Sequence, residues 1–274
     1  MSISLVHYPK FKLPGLLPRD VWVWTPPQYH AQPDARFPVI YMHDGQNLFI
    51  PERSYTGVTW GAAETISKLS CFGFIQPAIV VGIDNTPNRM GDYLPTRPFE
   101  TPEGKAFVAK LKAEAAEELE RIDFVADRYL ELIVKKIKPR IDQNFRTHPE
   151  REHTLVMGSS MGGLISLYAL VENPGVFGKA GCFSTHWPVL GDFTAPYLRK
   201  FLPEAGHHHL YFDYGTGEGD RQYSPYQATG DNIIRKKGYH FGQDWLTRVA
   251  PGAVHHEKAW RSRFHLALRF LLGT

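Results

Sequence analysis

The chain has 274 residues, of which 43% are hydrophobic and 22% are charged, a composition that is typical of globular domains and excludes a disordered or collagen-like protein. Its formal net charge is only +3 and its Lys and Arg residues are interspersed with Asp and Glu, so no nucleic-acid partner is predicted. No run approaches the ~18 apolar residues of a membrane span, and residues 1–15 lack the basic and apolar regions of a signal peptide. We therefore expect a soluble protein, cytoplasmic, or periplasmic or secreted if a leader has been removed.

Short β-type runs alternate with helical segments along the chain. The predicted strands cover residues 21–25, 39–43, 78–83, 153–157, 179–183 and 210–214, with a further strand near 239–241. The predicted helices cover residues 62–69, 160–172 and 226–237, and a last helix ends at residue 272. This alternation favours an α/β fold in one domain, residues 1–274, with a mostly parallel central sheet and helices on both faces.

One segment interrupts the alternation. Residues 101–121, TPEGKAFVAKLKAEAAEELER, are rich in Ala, Glu and Lys and precede a second helical run at residues 123–141. We predict a helical insertion here, either a solvated surface helix or a partial cap over a substrate cleft.

The cysteines and a histidine triplet are the candidates for metal or disulfide chemistry. Cys71 and Cys182 lie in apolar stretches, CFGF and AGCF, which favour buried thiols. Adjacent residues such as His207 to His209 cannot all point one way on a strand, and no acidic or cysteine ligands accompany them at suitable spacing. We predict neither a metal site nor a cofactor.

The stretch MGSSMGGL contains two adjacent serines between a predicted strand and a predicted helix. A nucleophile elbow, G-x-S-x-G, needs small residues two positions before and two positions after its serine, because the turn is tight. Ser160 has Gly158 and Gly162 at these positions, whereas Ser159 has methionines. The frame therefore predicts Ser160 as a nucleophile; the alternative is a glycine-rich turn that merely begins a helix.

A nucleophilic serine needs a histidine base and a carboxylate to orient that base, and in α/β hydrolases both follow the serine in the chain. PGAVHHEKAW stands at the boundary between a loop and the last helix, so His255 and His256 are both candidates for the base. Glu218 and Asp220 lie in a glycine-rich turn after a strand and are both candidates for the acid.

With these residues in place, the chain resembles an esterase family of the α/β-hydrolase superfamily that is related to enterobactin esterase, S-formylglutathione hydrolase and feruloyl esterases. The resemblance extends over nearly the whole chain, through RDVWVWTPPQY, FPVIYMHDGQNLF, IVVGIDNTPNRMGDYLP, TLVMGSSMGGLISLYAL and PGAVHHEKAW. It implies the α/β-hydrolase fold and a serine esterase that acts on a small-molecule or carbohydrate-linked ester.

The resemblance also narrows the choice of base and acid. The motif G-x-x-H-x-E-x-x-W of related sequences matches Gly252, His255, Glu257 and Trp260. It implies His255 as the base, with His256 second. An Asp that precedes a Y-x-P-Y-Q element, here residues 223–227, implies Asp220 as the acid, with Glu218 as the alternative.

Two backbone N–H groups are expected to form an oxyanion hole, namely that of Met161, directly after the nucleophile, and by resemblance that of Gln46 in HDGQ. The alternative for HDGQ is an ordinary turn. Further candidates for the cleft lining are Asn85, Arg89, Tyr93, His186, Trp187 and Trp60. Their structural alternatives are aromatic residues that close the edge of the core and a surface ion pair between Arg89 and Asp92.

Three functions are compatible with these residues: a serine carboxylesterase that uses an acyl-enzyme, an acyltransferase with the same triad, and a non-catalytic binding protein on a hydrolase fold. The first is the leading hypothesis. The acyl and alcohol specificity stays open. The aromatic residues near the site favour an aromatic acyl group or a sugar, because their rings offer flat apolar contact.

Overall fold

An eight-stranded sheet forms the centre of the computed structural model, which describes residues 5–114 and 122–274. The strands are β1 Leu5–Phe11, β2 Arg19–Trp24, β3 Val39–His43, β4 Ile79–Ile83, β5 Thr154–Ser159, β6 Lys179–Phe183, β7 His209–Gly215 and β8 Trp245–Ala250, in the spatial order β1-β2-β4-β3-β5-β6-β7-β8. β1 pairs antiparallel with β2, and β2 pairs antiparallel with β4. The other strands, β3 to β8, are all mutually parallel.

Helices cover both faces of the sheet. They are α1 Pro27–Ala31, α2 Ala62–Cys71, α3 Arg89–Tyr93, α4 Pro102–Glu114, α5 Ala126–Leu132, α6 Lys138–Asn144, α7 Met161–Glu172, α8 Thr194–Phe201, α9 Tyr223–Lys236 and α10 Glu257–Leu272. A π-helical turn, Ile133–Ile137, joins α5 to α6. In β3, Val39 and Tyr41 pack into the core beneath α7, while Ile40 and Met42 pack into the core beneath α2 and α10. The predicted fold class is confirmed.

The predicted strand at residues 239–241 is wrong. Gly238 and Gly242 both have positive φ, 88° and 82°, so the chain turns twice there, and Phe241 makes only an isolated bridge to Trp245. The eighth strand begins at Trp245 instead. The strand β1 was not predicted, because Pro9 interrupts its sequence and it lies at the edge of the sheet with mostly exposed side chains.

Two further expectations concern single segments. Cys182 is buried as predicted, but Cys71 is exposed because it is the last residue of α2, where the chain leaves the core. The predicted insertion at 101–121 contains α4, and residues 115–121 lie outside the described part. In the ranges 5–114 and 122–274, no helix is long and apolar enough to cross a membrane.

The parallel strands bring their carboxyl ends to one edge of the sheet. β3 ends at His43, β5 at Ser159, β6 at Phe183 and β7 at Gly215, and the loops that follow these strands carry most of the candidate site residues. This is the edge at which open α/β sheets bind their ligands.

Candidate active site

Ser160 lies in the tight turn between β5 and α7. Its φ of 58° and ψ of −123° are unusual for a residue with a side chain, and its N–H donates to the carbonyl of Phe183 at 2.8 Å. A Cβ at Gly158 would come within 2.7 Å of the Gly162 backbone, so only glycine fits there. Ser159 is the last residue of β5 and has no such strain. The local geometry is that of a nucleophile elbow.

His255 and Asp220 are in direct contact. Nδ1 of His255 lies 2.6 Å from Oδ1 of Asp220, whose carboxylate is fully buried. The other oxygen, Oδ2, accepts hydrogen bonds from the Ser184 hydroxyl and the Gly215 N–H, each at 2.6 Å. Burial raises the pKa of Asp220, but the hydrogen bonds from His255, Ser184 and Gly215 outweigh it and hold that pKa below its usual value.

The alternative base and acid point elsewhere. Nδ1 of His256 accepts the backbone N–H of Lys258 at 3.1 Å and so caps α10. The side chain of Glu218 is exposed, and Glu218 contacts His255 only through its carbonyl, which accepts the His255 N–H at 3.0 Å. Of the sequence-predicted pairs, the structure therefore brings together His255 and Asp220.

A cavity of about 440 Å³ opens onto these groups. It is lined by Asp44, Gln46, Asn47, Tyr55, Thr56, Asn85, Arg89, Ser159, Ser160, His255, His256, Glu257 and Trp260. A larger cavity of about 680 Å³ lies elsewhere, around Leu16, Pro87 and Asp123, and it contains none of the catalytic candidates. The smaller cavity is therefore the candidate active site, because it alone of the two combines a strained serine with a paired histidine.

The Ser160 side chain lies beside Tyr223 rather than against the imidazole. Among the described residues, no hydrogen bond joins the Ser160 hydroxyl to His255. Burial raises the pKa of the Tyr223 phenol, and its contact with the Ser160 side chain partly offsets that rise. The Tyr223 hydroxyl lies 2.7 Å from Nδ1 of His186. Ser160 and His255 thus line the same cavity, and the hydrogen bond that catalysis requires between them can form when a substrate is bound.

The loop after β3 contains the second oxyanion-hole candidate. Asp44 has a left-handed backbone with φ of 56°, and a Cβ at Gly45 would lie 2.6 Å from the carbonyl carbon of Gly82. Within the described residues, the N–H groups of Gln46 and Met161 have no acceptor. Gln46 lines the cavity and Met161 directly follows Ser160, which also lines it, and two free N–H donors that point to one position can bind an anionic oxygen.

The carboxylate of Asp44 holds this loop in place. Arg89 donates to it through Nε and Nη2, both at 2.7 Å, and Nδ2 of Asn85 donates at 2.7 Å. Burial raises the pKa of Asp44, but the charge of Arg89 and these hydrogen bonds outweigh it and lower that pKa. The alternative pairing of Arg89 with Asp92 is wrong, because Asp92 forms a buried ion pair with Arg19 at 3.2 Å.

The remaining lining candidates divide by burial. Asn85 and Arg89 line the cavity, but His186 and the buried residues Tyr93, Trp187 and Trp60 are not part of its lining. The Tyr93 hydroxyl accepts the Asp44 N–H at 3.2 Å, so it supports the loop from inside. The sequence reasoning missed Tyr55, Thr56 and Glu257 in the lining and the roles of Asp44 and Ser184. Asp44 stands inside the HDGQ motif, so its position beside Gly45 was a signal for a special turn.

A buried histidine beneath the loop makes stability depend on pH. Nδ1 of His43 lies 2.7 Å from the Tyr129 hydroxyl, and burial lowers the pKa of His43 to about 3. The unfolded chain therefore binds more protons between this value and the ordinary pKa of ~6.5, so the contribution of His43 to stability is present above that range and is lost as the pH falls through it.

We expect His43 to lower the free energy of unfolding by about 1 kcal/mol between pH 6 and pH 5. The measurement is urea unfolding of the wild type and His43→Gln at both pH values, which separates His43 from the other histidines. An equal pH dependence in the two proteins would contradict a neutral His43 in the folded state.

The family model described as "Putative esterase" matches residues 18–271, nearly the whole chain. The chain belongs to this esterase family. The family predicted from the sequence motifs is therefore confirmed, and the protein is an esterase, a hydrolase of carboxylic esters.

One curated relative of this family member is the uncharacterized protein YbbA of Bacillus subtilis (strain 168), which is 23% identical over 261 residues and 93% of each chain. Solved structures share the fold at lower identity. An IroE-like serine hydrolase from Shewanella oneidensis has a TM-score of 0.75 at 18% identity, covering 98% of this chain and 80% of its own.

Two further structures are similar to this esterase. The enterobactin esterase FES from Shigella flexneri has a TM-score of 0.65 at 16% identity, and the match covers 99% of this chain but 60% of FES. The ferulic acid esterase AmCE1/Fae1A from Anaeromyces mucronatus has a TM-score of 0.64 at 18% identity, covering 97% and 90%. At these identities the likeness is one of fold.

Proposed function

We propose that this esterase is a serine carboxylic ester hydrolase that works through an acyl-enzyme, with Ser160 as nucleophile, His255 as base and Asp220 as the orienting acid. The observation that carries the proposal is the 2.6 Å contact between Nδ1 of His255 and Asp220 in the cavity that also holds the strained Ser160. An isolated glycine-rich turn would need no histidine and no buried carboxylate at the same cavity.

The contact with Asp220 determines which nitrogen acts as the base. The buried carboxylate accepts the proton of Nδ1, so Nε2 of His255 is the nitrogen that carries the lone pair. The mechanism requires the Ser160 hydroxyl to turn from Tyr223 toward Nε2 of His255, which lines the same cavity. Transfer of the proton to Nε2 then accompanies attack of Oγ on the ester carbonyl.

The carbonyl oxygen becomes an oxyanion in this step, and the N–H groups of Met161 and Gln46 are its proposed donors. A donor of this kind typically contributes ~3 kcal/mol to the stability of the transition state. The imidazolium returns its proton to the leaving alcohol, and a water then attacks the acyl-enzyme with Nε2 again as base. Neither step needs a metal or an organic cofactor.

The lining of the cavity bears on the substrate. Arg89, Asn85 and Gln46 supply hydrogen-bond donors, while Tyr55 and Trp260 supply aromatic surface. We propose a small ester with a polar or aromatic acyl group, in keeping with the enterobactin and ferulic acid esters that appear in the names of two structurally similar proteins.

The proposed function is tested with p-nitrophenyl esters, from acetyl to feruloyl, together with a catecholate ester. We expect a burst of p-nitrophenol equal to the enzyme concentration followed by a slower steady rate, because a covalent acyl-enzyme accumulates. We also expect one organophosphonate label per chain, located on Ser160 by mass spectrometry. The same assays with an added sugar acceptor measure acyl transfer. Absence of both burst and label would contradict the mechanism.

The domain organisation is part of the proposal. We propose that residues 1–274 form one α/β-hydrolase domain, since both cores pack on the one eight-stranded sheet. The cap formed by the insertion at 101–121 stays a prediction: of its described part, no residue lines the active-site cavity.

A further inference from the structure

The hydroxyl of Ser184 lies directly behind the carboxylate of Asp220. Ser184 follows β6, is fully buried and has a left-handed backbone with φ of 42°. Its N–H donates to the carbonyl of Asp213 at 2.7 Å, which anchors it to β7. Neither the elbow nor the histidine motif of the sequence points to this residue.

Three groups surround the Ser184 hydroxyl oxygen. Oδ2 of Asp220 is 2.6 Å away, Nε1 of Trp260 is 3.0 Å away, and Nη2 of Arg263 is 3.3 Å away. An indole N–H and a guanidinium can only donate hydrogen bonds, and a hydroxyl has one proton and two lone pairs. Both lone pairs are therefore directed at donors. The single proton of Ser184 has one acceptor left, which is Asp220.

Arg263 is itself held in this position. Its Nη2 lies 2.9 Å from Oδ1 of Asp213, and both side chains are almost completely buried. The Tyr211 hydroxyl donates to the other oxygen of Asp213 at 3.0 Å. The ion pair with Asp213 holds the guanidinium of Arg263 in place as a donor to Ser184.

We propose that Ser184 is a positioning residue of the catalytic site, whose obligatory donation to Oδ2 holds Asp220 so that Oδ1 faces Nδ1 of His255. The inference rests on the proposed function, since it assigns Ser184 a role through the Asp220–His255 pair. Together with the Gly215 N–H, Ser184 occupies Oδ2, which prevents the carboxylate from rotating. Through Ser184, the negative charge of Asp220 is also shared with two further donors, Trp260 and Arg263.

Ser184→Ala tests this role, because Ser and Ala share a Cβ and the substitution adds no backbone strain beyond that already present. We expect kcat to fall about 10- to 100-fold while KM changes less than about threefold, since substrate contacts are untouched. We also expect the acidic limb of the kcat/KM profile, which reports protonation of the base His255, to move to higher pH by about 0.5 to 1 unit, because an Asp220 carboxylate that has lost a donor stabilises the imidazolium more strongly.

The groups that face Asp220 are His255, Ser184, Gly215 and, at longer range, Asp213 and Tyr223. Among them only Ser184 is altered by the substitution. Thr154→Val is the matched control: it removes a fully buried hydroxyl that donates to the Glu150 carbonyl at 3.0 Å, at the opposite end of β5. We expect Thr154→Val to lower Tm about as much as Ser184→Ala does, but to leave kcat and the pH profile unchanged.

Unchanged kcat and acidic limb in folded Ser184→Ala would overturn the inference. If that variant does not fold, Ser184→Cys takes its place, because a thiol is a weaker donor of similar shape. If the acidic limb of Ser184→Cys moves to higher pH by less than the shift expected for Ser184→Ala, the role is supported. A wild-type profile overturns it. Activity retained in Ser160→Ala would instead contradict the proposed function itself, so the two failures are distinguishable.

Discussion

Ser160→Ala is expected to lower kcat on p-nitrophenyl esters by about 10⁴- to 10⁶-fold, because the attacking oxygen is removed while the oxyanion donors stay in place. The free energy of unfolding should change little, since Ala keeps the Cβ and the positive φ of Ser160 and only the contact of the hydroxyl with Tyr223 is lost. The measurement combines steady-state kinetics, organophosphonate labelling and thermal unfolding of the purified variant.

The adjacent serine provides the matched control. Ser159 is the last residue of β5 and is buried, with a regular strand conformation. We expect Ser159→Ala to keep kcat within about tenfold of the wild type, because the substitution changes the floor of the cavity but no reacting atom. The reverse order of activities would show that the elbow frame identifies the wrong serine.

The second large effect is expected for Asp220→Asn. A neutral amide cannot stabilise the imidazolium, and its NH₂ group can hold His255 in the wrong tautomer, so kcat should fall by about 10³- to 10⁴-fold. The variant should fold, since Asn can still accept from Ser184 and Gly215. KM should change far less than kcat because Asp220 is buried behind the histidine.

Glu218→Gln is the equivalent change at the other candidate acid. Its side chain is exposed and only its carbonyl contacts His255, so we expect kcat within about threefold of the wild type. Kinetics of the two amide variants on the same ester compare the two acids directly. Loss of activity in Glu218→Gln with retention in Asp220→Asn would contradict the assignment of Asp220.

The sequence predicts those features that depend on local spacing. The interior strands at 39–43 and 179–183 are buried on both faces and therefore read as short apolar runs, and their predicted bounds match the structure. The elbow is also a local feature, because a Cβ at position 158 would collide with the backbone of Gly162, which is only four positions along the chain. The edge strand Leu5–Phe11 left no such pattern, because edge strands bury little side-chain surface.

Local sequence patterns did not predict which residues that are distant in the chain come into contact. Glu218 and Asp220 stand two positions apart in one turn and are chemically equivalent, and only the packing of that turn against residues 252–255 directs one carboxylate to His255 and the other to solvent. Arg89 had a carboxylate three residues away in Asp92, yet it pairs with Asp44, which is 45 positions distant. The family resemblance implied Asp220 as the acid, but proximity in the sequence predicted neither the partner of His255 nor that of Arg89.

The sequence by itself therefore predicted the fold class from its periodicity and the elbow turn at Ser160 from steric limits within a few residues, and it indicated the esterase family through its resemblance to that family's motifs. The family resemblance implied Asp220 as the acid, but only the tertiary structure shows its contact with His255, which residue anchors the loop after β3, and that Ser184 lies between Asp220 and Arg263. These contacts join the ends of different strands and the last helix. Their geometry is a property of how the sheet and its helices pack together, and no local pattern encodes it.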